Sequence, residues 1–273
     1  MMDLTTCYRS LGFKHAPFNI TPDTALFFPN DGHITALGHM QFGLYSGGFT
    51  LITGEVGLGK TLLCRELLRQ CDKNVRTAYV FNPLQSINDL LRAIHFDLTG
   101  IKPEARTTGQ LHDAIYKALL IIASRGERAT IIIDEAHRLN PELLEALRLI
   151  SNIETEKEKL LSLILVGQPE LRATLATKKM RPLAQRISVS YTLHPFDYKS
   201  SIDYIKYRLK NSQIKGNFHF STGAMLLVYL YSRGAPRRIN QICDRALLAA
   251  YAKKRYFVGV ITLRKAAKEV LHR

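Results

Sequence analysis

The sequence predicts an α/β protein in which a parallel sheet is followed by a small helical domain. Two observations lead to this fold class. Five short runs of β-branched and aliphatic residues lie within the first 195 residues, and helical segments separate them. This alternation is typical of a parallel sheet whose crossover helices cover both faces. The predicted strands are Phe49–Thr53, Arg76–Phe81, Thr130–Asp134, Leu161–Val166 and Ile187–Leu193.

The helices between these strands are predicted from apolar residues at helical spacing and from capping signals. Asn140, Pro141 and Glu142 combine an N-cap residue, a proline at the first helical position and an acidic residue in the first turn. They predict a helix that continues to about Ile150. The other helices are predicted at Lys60–Cys71, Ile87–Leu98 and Thr107–Ser124.

The pattern changes at Leu193-His194-Pro195, and no strand is predicted beyond it. Gly234-Ala235-Pro236 separates two of the helices that follow. We therefore expect two domains, an α/β domain at residues 1–195 and a helical domain at residues 196–273. The helices predicted in the second domain are Tyr198–Lys210, Thr222–Tyr231, Arg237–Lys253 and Leu263–His272.

The net charge of +15 is concentrated in the predicted helical domain. From Asp197 to Arg273 there are 16 lysines and arginines against 4 aspartates and glutamates, a net of +12. Such an asymmetry favours contact with DNA, anionic lipid or an acidic partner. A solvated helical surface that also helps to hold a nucleotide is an equally weighted alternative.

Three features of the sequence indicate a cytoplasmic protein. No apolar run approaches the ~18 residues that a transmembrane helix requires. The N-terminus lacks the basic start and the apolar stretch of a signal peptide. The four cysteines have no Cys-x-x-Cys spacing, so neither a zinc site nor a disulfide framework is expected.

The most specific motif is a P-loop, Gly54-Glu55-Val56-Gly57-Leu58-Gly59-Lys60-Thr61, between a predicted strand and a predicted helix. Its glycines let backbone N–H groups curl around a phosphate, and the following helix N-terminus adds a favourable dipole. Lys60 is predicted to reach the β- and γ-phosphates of ATP, and the Thr61 hydroxyl to ligate Mg²⁺. We expect the nucleotide site to include these residues and Leu62, which follows them.

The second motif is an aliphatic strand that ends in Asp134 and Glu135. Asp134 is predicted to hold Mg²⁺ through water, and Glu135 to act as the general base on the attacking water. An acidic pair at a strand end is a weak signal alone. It becomes strong beside a P-loop, because the two strands are expected to be neighbours. Together with Ala136 and His137, the pair also matches the sequence box of a helicase superfamily. Those helicases need two RecA-like domains, and we expect only one in this chain.

Two polar residues follow other predicted strands. Gln168 comes after Leu161–Val166 and is predicted to contact the γ-phosphate or water, with capping of the next helix as the alternative. Asn82 comes after the second strand and is predicted to hydrogen-bond Glu135 and restrain it. The alternative for Asn82 is a simple Asn-Pro turn.

Two arginine pairs are candidates for stabilising the charge on a transferred γ-phosphate. Arg181 and Arg186 precede the fifth strand, and Arg237 and Arg238 follow Gly234-Ala235-Pro236. Surface charge is the alternative for both pairs. The residues alone do not decide which member of each pair would act.

Together these motifs resemble the AAA+ ATPases of the ExeA type, also called general secretion pathway protein A, nearly from end to end. The resemblance implies an AAA+ P-loop NTPase fold with a C-terminal helical lid, and hydrolysis of ATP to ADP and phosphate with Mg²⁺. Beyond the P-loop and its continuation Leu62-Leu63-Cys64-Arg65, the matching segments are Phe13–Asp23, Asn82-Pro83, Ile133–His137, Gly167–Leu171, Gln185-Arg186-Ile187 and Gly234–Asn240.

The resemblance also implies individual roles. Arg186 resembles the arginine finger that acts on a neighbour's ATP, and Arg237 the sensor 2 arginine of the lid. Gln168 would be sensor 1, and Asn82 the switch residue that restrains the catalytic glutamate. The stretch from Phe18 to Asp23 would lie near the adenine. A finger that acts in trans implies a homo-oligomer, either a ring or a filament.

Two departures from the family's pattern matter. Leu58 stands where the family usually has Thr, but backbone groups bind phosphate there, so binding is expected to survive. The longer secretion proteins continue into a membrane anchor and a peptidoglycan-binding domain, neither of which is expected in this chain. The sequence is therefore most similar to the stand-alone MshM-type proteins of mannose-sensitive haemagglutinin pilus biogenesis.

Three functions are compatible with these features. The first is an ATPase that assembles or regulates a type IV pilus or secretion apparatus, with inner-membrane components as partners and the protein peripheral to that membrane. The second is a DNA-dependent ATPase of transposition, similar to TniB and TnsC, whose basic lid binds DNA. Its interleaved tyrosines would stack on bases, although tyrosines at helical spacing more often pack. The third is a nucleotide-gated scaffold, against which the intact Glu135 argues.

Overall fold

The computed structural model describes residues 4–81, 86–154, 159–214 and 218–271. The chain divides into two compact units. An α/β unit contains residues 31–56 and 60–193, and a helical unit contains residues 1–30, 57–59 and 194–273. Each unit has its own cluster of buried apolar side chains.

Seven strands and twelve α-helices are found in the described ranges. The strands are β1 (Gly48–Gly54), β2 (Val75–Val80), β3 (Arg128–Ile133), β4 (Leu161–Gly167), β5 (Ile187–Leu193), β6 (His219–Phe220) and β7 (Phe257–Val258). The helices are α1 (Leu4–Ser10), α2 (Asp31–Ser46), α3 (Lys60–Gln70), α4 (Ile87–Thr99), α5 (Thr108–Ser124), α6 (Pro141–Ile150), α7 (Glu170–Leu175), α8 (Arg181–Ala184), α9 (Tyr198–Ser212), α10 (Thr222–Ser232), α11 (Pro236–Ala252) and α12 (Val260–Leu271).

The α/β unit is built on a five-stranded sheet in the order β2-β3-β4-β1-β5, with every neighbouring pair parallel. All five predicted strands are present, and the predicted fold class is confirmed. One expectation about the sheet is wrong. β1, which leads into the P-loop, and β3, which carries the acidic pair, are not neighbours, because β4 lies between them.

The strand order places helices on both faces of this sheet. The chain moves from β1 to β2 in one direction, and from β2 through β3 and β4 to β5 in the other. Because crossovers between parallel strands are right-handed, α3 lies on one face and α4 to α8 on the opposite face. The packing agrees, since α2 contacts α3, whereas α4, α5 and α6 contact one another.

The centre of the sheet is the most deeply buried part of this unit. Every residue of β1 and β4 is buried, as expected for parallel strands that are covered on both faces. The helix after β3 begins as predicted, because the Asn140 side chain accepts a hydrogen bond from the Leu143 N–H at 2.8 Å and Pro141 follows the cap. The P-loop therefore extends from a rigid central strand.

The first 30 residues pack in the helical unit, which differs from the predicted domain of residues 1–195. The buried Arg208 on α9 explains this, because its guanidinium donates to the carbonyl oxygens of Pro17 at 2.6 Å and Asn19 at 3.1 Å. Tyr204 accepts a hydrogen bond from Arg208 and donates one to Asn240 on α11. The bonds from Arg208 to Pro17 and Asn19 join residues 191 and 189 positions apart, and local sequence patterns do not report them.

Aromatic packing strengthens the same attachment. Phe18 is fully buried and meets the ring of Phe220 edge-on, with 6.0 Å between centroids. The Tyr207 hydroxyl donates to the carbonyl oxygen of Phe27 at 2.9 Å. Tyr204 and Tyr207 thus pack and bond inside the unit, which favours packing over base stacking for these two residues.

Several elements of the helical unit differ from the prediction. The sequence predicted no strand beyond residue 195, yet β6 and β7 pair in parallel there. These strands have two residues each, too few for an alternating pattern to be visible. α12 begins at Val260 rather than Leu263, and α1, α2, α7 and α8 were not predicted. In the described ranges, no helix combines the length and hydropathy that crossing a membrane would need.

Candidate nucleotide site

The P-loop has the backbone that its sequence predicts. Gly57 and Gly59 adopt φ angles of 81° and 95°, a region that residues with side chains rarely occupy. Glu55 and Val56 are exposed, whereas Leu58 is buried and Leu62 is partly buried. Leu58 therefore packs inward, at the position where the family usually has Thr.

Lys60 opens α3 and turns back over the loop. Its Nζ donates to the carbonyl oxygens of Gly54 at 2.8 Å and Glu55 at 2.9 Å. Burial lowers the pKa of the Lys60 ammonium, while the carboxylates of Glu135, Asp134 and Glu55 oppose that shift. The site thus holds a desolvated cation whose hydrogen bonds end on loop carbonyls, and such a cation interacts strongly with any phosphate that replaces them.

The side chains of Thr61 and Asp134 are in direct contact, although the strands that precede these residues, β1 and β3, are not adjacent in the sheet. The Thr61 hydroxyl donates to Asp134 Oδ2 at 2.7 Å, and Asp134 is completely buried. The second oxygen, Oδ1, accepts the N–H of Glu135 at 2.9 Å, and the Tyr79 hydroxyl lies 3.3 Å from Oδ2. Burial, followed by the nearby Cys64 and Asp134, raises the pKa of Tyr79, which keeps this hydroxyl a donor.

This group of oxygen atoms fits a magnesium ion. Mg²⁺ prefers hard oxygen ligands and is usually held by one or two carboxylates together with water and substrate phosphates. Thr61 supplies a hydroxyl and Asp134 a buried carboxylate at the carboxyl edge of the sheet.

Glu135 adopts an unusual backbone conformation. Its φ of 54° and ψ of 33° lie in the left-handed region, where a glutamate is uncommon. A short 3₁₀ turn, Ala136–Arg138, follows directly, and 30% of the Glu135 side chain is exposed. Strained backbone of this kind persists where the surroundings fix it, and it is concentrated at functional sites.

His137 links Glu135 to Gln168. His137 Nε2 lies 3.5 Å from Glu135 Oε2 and 2.9 Å from the side-chain nitrogen of Gln168. In the tautomer with the proton on Nε2, Nδ1 accepts the backbone N–H of Gln168 at 3.4 Å and Nε2 can donate to the Glu135 carboxylate. Since the N-cap of α7 is Pro169 and no side chain caps that helix, the capping alternative for Gln168 is not observed.

The sequence offered only a weak signal for His137. It was noticed as the last letter of a helicase-like box, not as a partner of Glu135. No signal marked Tyr79 or Arg172. Arg172 donates to Thr53 Oγ1 and Ser190 Oγ, both at 2.7 Å. Arg172 thereby joins the end of β1, immediately before the P-loop, to β5.

Asn82 lies outside the described residues, so its role as a switch stays a prediction. The chain just before it does run beside the acidic pair. The Asp134 N–H donates to the carbonyl oxygen of Val80 at 3.0 Å.

Arg181 is the first residue of α8, and Arg186 lies at the opposite end of the strands from the P-loop. Arg186 immediately precedes β5, where Ile187 pairs with Phe49 at the start of β1, whereas Gly54 at the end of β1 pairs with Leu193. At the rise of an extended strand the two ends are about 20 Å apart. Within the described residues, the Arg186 guanidinium has no hydrogen bond or ion pair.

Arg237 and Arg238 are exposed in the first turn of α11 in the helical unit. The backbone N–H of Arg237 donates at 3.1 Å to the carbonyl oxygen of Gly57, one of the loop residues that pack with this unit. The turn before α11 needs Gly234, which has a φ of 74° and whose added Cβ would lie 1.9 Å from the Phe196 carbonyl oxygen. Packing thus fixes where α11 begins.

The comparison with protein families agrees with this geometry. Residues 44–175 match the family model described as an AAA domain. The matched segment includes β1 to β4, the P-loop, the acidic pair and Gln168, so it contains every described site residue except the arginine candidates.

The chain is also similar in sequence to two proteins of known description. The chain is 40% identical over 266 residues to general secretion pathway protein A of Aeromonas hydrophila, which covers 95% of this chain and 47% of that protein. It is also 30% identical over 128 residues to ATP-dependent target DNA activator B of Escherichia phage Mu, covering 47% of this chain and 37% of that protein. The chain thus spans about half the length or less of these relatives. The predicted resemblance to general secretion pathway protein A is confirmed, and the narrower MshM-type likeness stays a prediction.

Solved structures support the fold. Cdc6p from Pyrobaculum aerophilum superposes with a TM-score of 0.72 at 19% identity, over 91% of this chain and 71% of that one. At such low identity the likeness concerns the fold alone.

Proposed function

We propose that the protein hydrolyses ATP to ADP and phosphate with Mg²⁺ at this site. The observation that carries the proposal is the 2.7 Å hydrogen bond between Thr61 and the buried Asp134, beside the P-loop lysine. This contact supports the proposal because it brings a hydroxyl and a carboxylate, the kinds of oxygen ligand that Mg²⁺ prefers, together beside the P-loop. Magnesium would neutralise phosphate charge as the γ-phosphoryl group leaves.

Other residues of the site have separate roles in the proposed reaction. The loop from Gly54 to Thr61 binds the phosphates through its backbone, and Lys60 exchanges its carbonyl partners for phosphate oxygens. Glu135 accepts a proton from the attacking water. Gln168 orients that water or the γ-phosphate, and the contacts of His137 fix the positions of Glu135 and Gln168. The resemblance also implies a role for Arg237 in binding the nucleotide.

We propose further that Arg186 acts on the nucleotide of a neighbouring copy. An arginine about 20 Å from its own P-loop along the strands is too far away to reach its own γ-phosphate. Its free guanidinium is suited to a phosphate supplied by another subunit. The protein would therefore turn over ATP as a homo-oligomer, in a ring or a filament.

The similarity to general secretion pathway protein A supports a role in assembling or regulating a secretion or type IV pilus apparatus. The partners would be inner-membrane components of that apparatus. The protein would be cytoplasmic and peripheral to that membrane.

A mixing experiment tests the intersubunit site. Lys60→Ala subunits cannot bind ATP but keep the finger, and Arg186→Ala subunits bind ATP but lack it. Each variant alone is expected to be inactive, whereas the mixture regains activity where an Arg186→Ala site faces a Lys60→Ala neighbour. Arg181→Ala is the matched control and is expected to be active alone. A mixture that stays inactive although both variants co-assemble would contradict the trans finger.

The second candidate function is a DNA-dependent ATPase of transposition. It is favoured by the similarity to the phage Mu activator and by the net charge of +12 from Asp197 to Arg273. This function predicts that duplex DNA stimulates ATP turnover and that binding weakens steeply with salt. Turnover that does not respond to DNA at low salt would leave the secretion or pilus role as the better account.

A further inference from the structure

We propose that the helical unit carries a surface that binds anionic phospholipid membranes. The surface, called here the basic tip, consists of the turn between α11 and β7 together with the outer face of α12. Between residues 253 and 268 there are six cations and no acidic residue. The cations are Lys253, Lys254, Arg255, Arg264, Lys265 and Lys268, and all six are exposed.

The outer face of α12 is one continuous strip. Ile261, Arg264, Lys265 and Lys268 follow the i, i+3, i+4, i+7 spacing that places side chains on one side of a helix. All four are exposed, whereas Leu263, Ala266 and Ala267 are buried in the unit. The helix therefore presents positive charge to solvent, with an isoleucine at its first turn.

The cations of the basic tip differ from other cations of the chain in their ion pairing. None of the six forms an ion pair with another described residue. Arginines elsewhere do pair, as Arg76 does with Glu127 at 2.6 Å and Arg148 with Glu145 at 2.7 Å. Glu269, the nearest acidic residue along the chain, pairs with Arg245. The charge is thus available to an external anion.

Large apolar side chains lie among these cations. Tyr256 is 64% exposed, Phe257 43% and Ile261 72%, all within six consecutive residues. Single exposed apolar residues are ordinary, but three that adjoin a basic cluster mark an interaction surface. Aromatic and aliphatic side chains enter the boundary between headgroups and acyl chains, while lysine and arginine bind the anionic headgroups. A nucleic-acid backbone offers the same negative charge but no apolar phase for Ile261.

The turn itself holds a lysine where a glycine would be less strained. Lys254 has a φ of 51°, in the left-handed region. Hydrogen bonds from Lys254 N to the Tyr251 carbonyl and from Arg255 N to the Ala250 carbonyl fix the end of α11 around it. Glycine is the common residue at this position of a helix end. Lys254 thus adds a positive charge to the turn at a position where its backbone is strained.

The test is sedimentation of the full chain with vesicles, at low and raised salt. The vesicles contain phosphatidylcholine alone, or an equimolar mixture of phosphatidylcholine and phosphatidylglycerol. Binding is expected only to the mixture. Each basic residue near an anionic surface contributes about fivefold in affinity, so replacing Lys253, Lys254 and Arg255 together with Gln is expected to weaken binding about a hundredfold. Ile261→Ser is expected to weaken it several-fold, with the salt dependence unchanged.

Two controls separate the tip from general charge and from misfolding. The variant with Lys199, Lys206 and Lys210 of α9 changed to Gln removes the same charge from another exposed part of this unit, and near wild-type binding is expected. Lys254→Gly is expected to bind vesicles about fivefold more weakly while its thermal midpoint stays equal or rises. Such a loss of binding cannot come from unfolding.

The proposal does not depend on ATP turnover, and its failure would leave the nucleotide site untouched. Equal losses in the α9 control and the tip variant would overturn it, because net charge alone would then explain binding. Failure to bind the mixed vesicles would also overturn it. A competition experiment gives one more result that would overturn the proposal. If duplex DNA displaces the vesicles and binds the Ile261→Ser variant as tightly as wild type, the tip is a nucleic-acid surface.

Discussion

The left-handed conformation of Glu135 allows the chemistry of this residue to be separated from its effect on stability. Two substitutions make the separation. Glu135→Gln keeps the size of the side chain but removes the group that accepts the water's proton. Glu135→Gly removes the side chain as well, and it also removes the backbone strain at a φ of 54°. Both variants are expected to lose ATP hydrolysis, but their stabilities should differ.

The expected magnitudes follow from the geometry. General bases typically contribute 10²- to 10⁴-fold to rate, so Glu135→Gln should slow turnover at least about a hundredfold, or about 2.7 kcal/mol in barrier height. Left-handed backbone costs a residue with a side chain roughly 1–2 kcal/mol. The extra conformational freedom of glycine in the unfolded chain offsets about 0.5–1 kcal/mol of the relief. Glu135→Gly should therefore be as stable as wild type or more stable by up to about 1.5 kcal/mol.

The assays are phosphate release at saturating ATP, retention of bound ATP, and urea unfolding without nucleotide. Glu142→Gly is the matched control, because Glu142 is exposed in the first turn of α6 with ordinary helical backbone. That control should lose about 1 kcal/mol of stability and keep its activity. Turnover of Glu135→Gln within tenfold of wild type would refute the general base. A Glu135→Gly protein destabilised as much as Glu142→Gly would refute the argument from strain.

Three further predictions concern other contacts. His137→Ala should lower the turnover rate about ten- to a hundredfold and leave ATP affinity unchanged, because it frees Glu135 and Gln168 without touching the phosphate loop; kcat and Kd measured separately will show this. Arg208→Met removes the donor to the Pro17 carbonyl oxygen and leaves the Asn19 carbonyl oxygen only the longer bond from Asn240, at 3.4 Å, so it should destabilise the helical unit by about 3 kcal/mol in urea and expose residues 4–30 to limited proteolysis. Asp244→Asn should flatten the pH dependence of stability. Burial raises the pKa of Asp244 despite its hydrogen bond from Tyr8, so the folded state binds a proton more tightly than the unfolded state does. This residue therefore adds stability as pH falls from neutral toward the ordinary pKa of 3.8.

Each of these has a clear contrary outcome. A normal kcat for His137→Ala would mean that its two contacts do not position the catalytic groups. An Arg208→Met protein with wild-type proteolysis would show that aromatic packing alone holds the N-terminal segment. For Asp244→Asn, an unfolding free energy that parallels wild type between about pH 7 and pH 4 would remove Asp244 as a source of the dependence.

Predictions from local patterns succeeded where the physical cause is local. The β1 strand, the P-loop and α3 were predicted because glycine, lysine and threonine stand at fixed positions between a buried strand and a helix. The Asn140 cap was predicted because its hydrogen bond spans only three residues. The strand order was not predictable in this way. β4 separates β1 from β3, although either arrangement gives the same runs of apolar residues along the chain.

The site residues that were predicted and the one that was missed differ in the same way. Lys60, Thr61 and Asp134 were identified because their residue types fit phosphate and magnesium chemistry, and the structure brings Thr61 and Asp134 to 2.7 Å. His137 was missed as a partner of Glu135. Its importance depends on Gln168, which lies 31 positions away and reaches it only when β3 and β4 lie side by side.

The sequence by itself determined which residue types form the candidate site: a glycine-rich loop with a lysine and a threonine, and an acidic pair that ends a strand, each defined by a few neighbouring residues. Tertiary structure alone decided where distant pieces meet. It placed the first 30 residues in the helical unit through Arg208, put Arg186 at the end of the strands away from the P-loop, and exposed the six cations of the basic tip. The physical reason is that a motif is held by short-range hydrogen bonds, whereas packing, burial and the position of an unpaired charge depend on the whole chain.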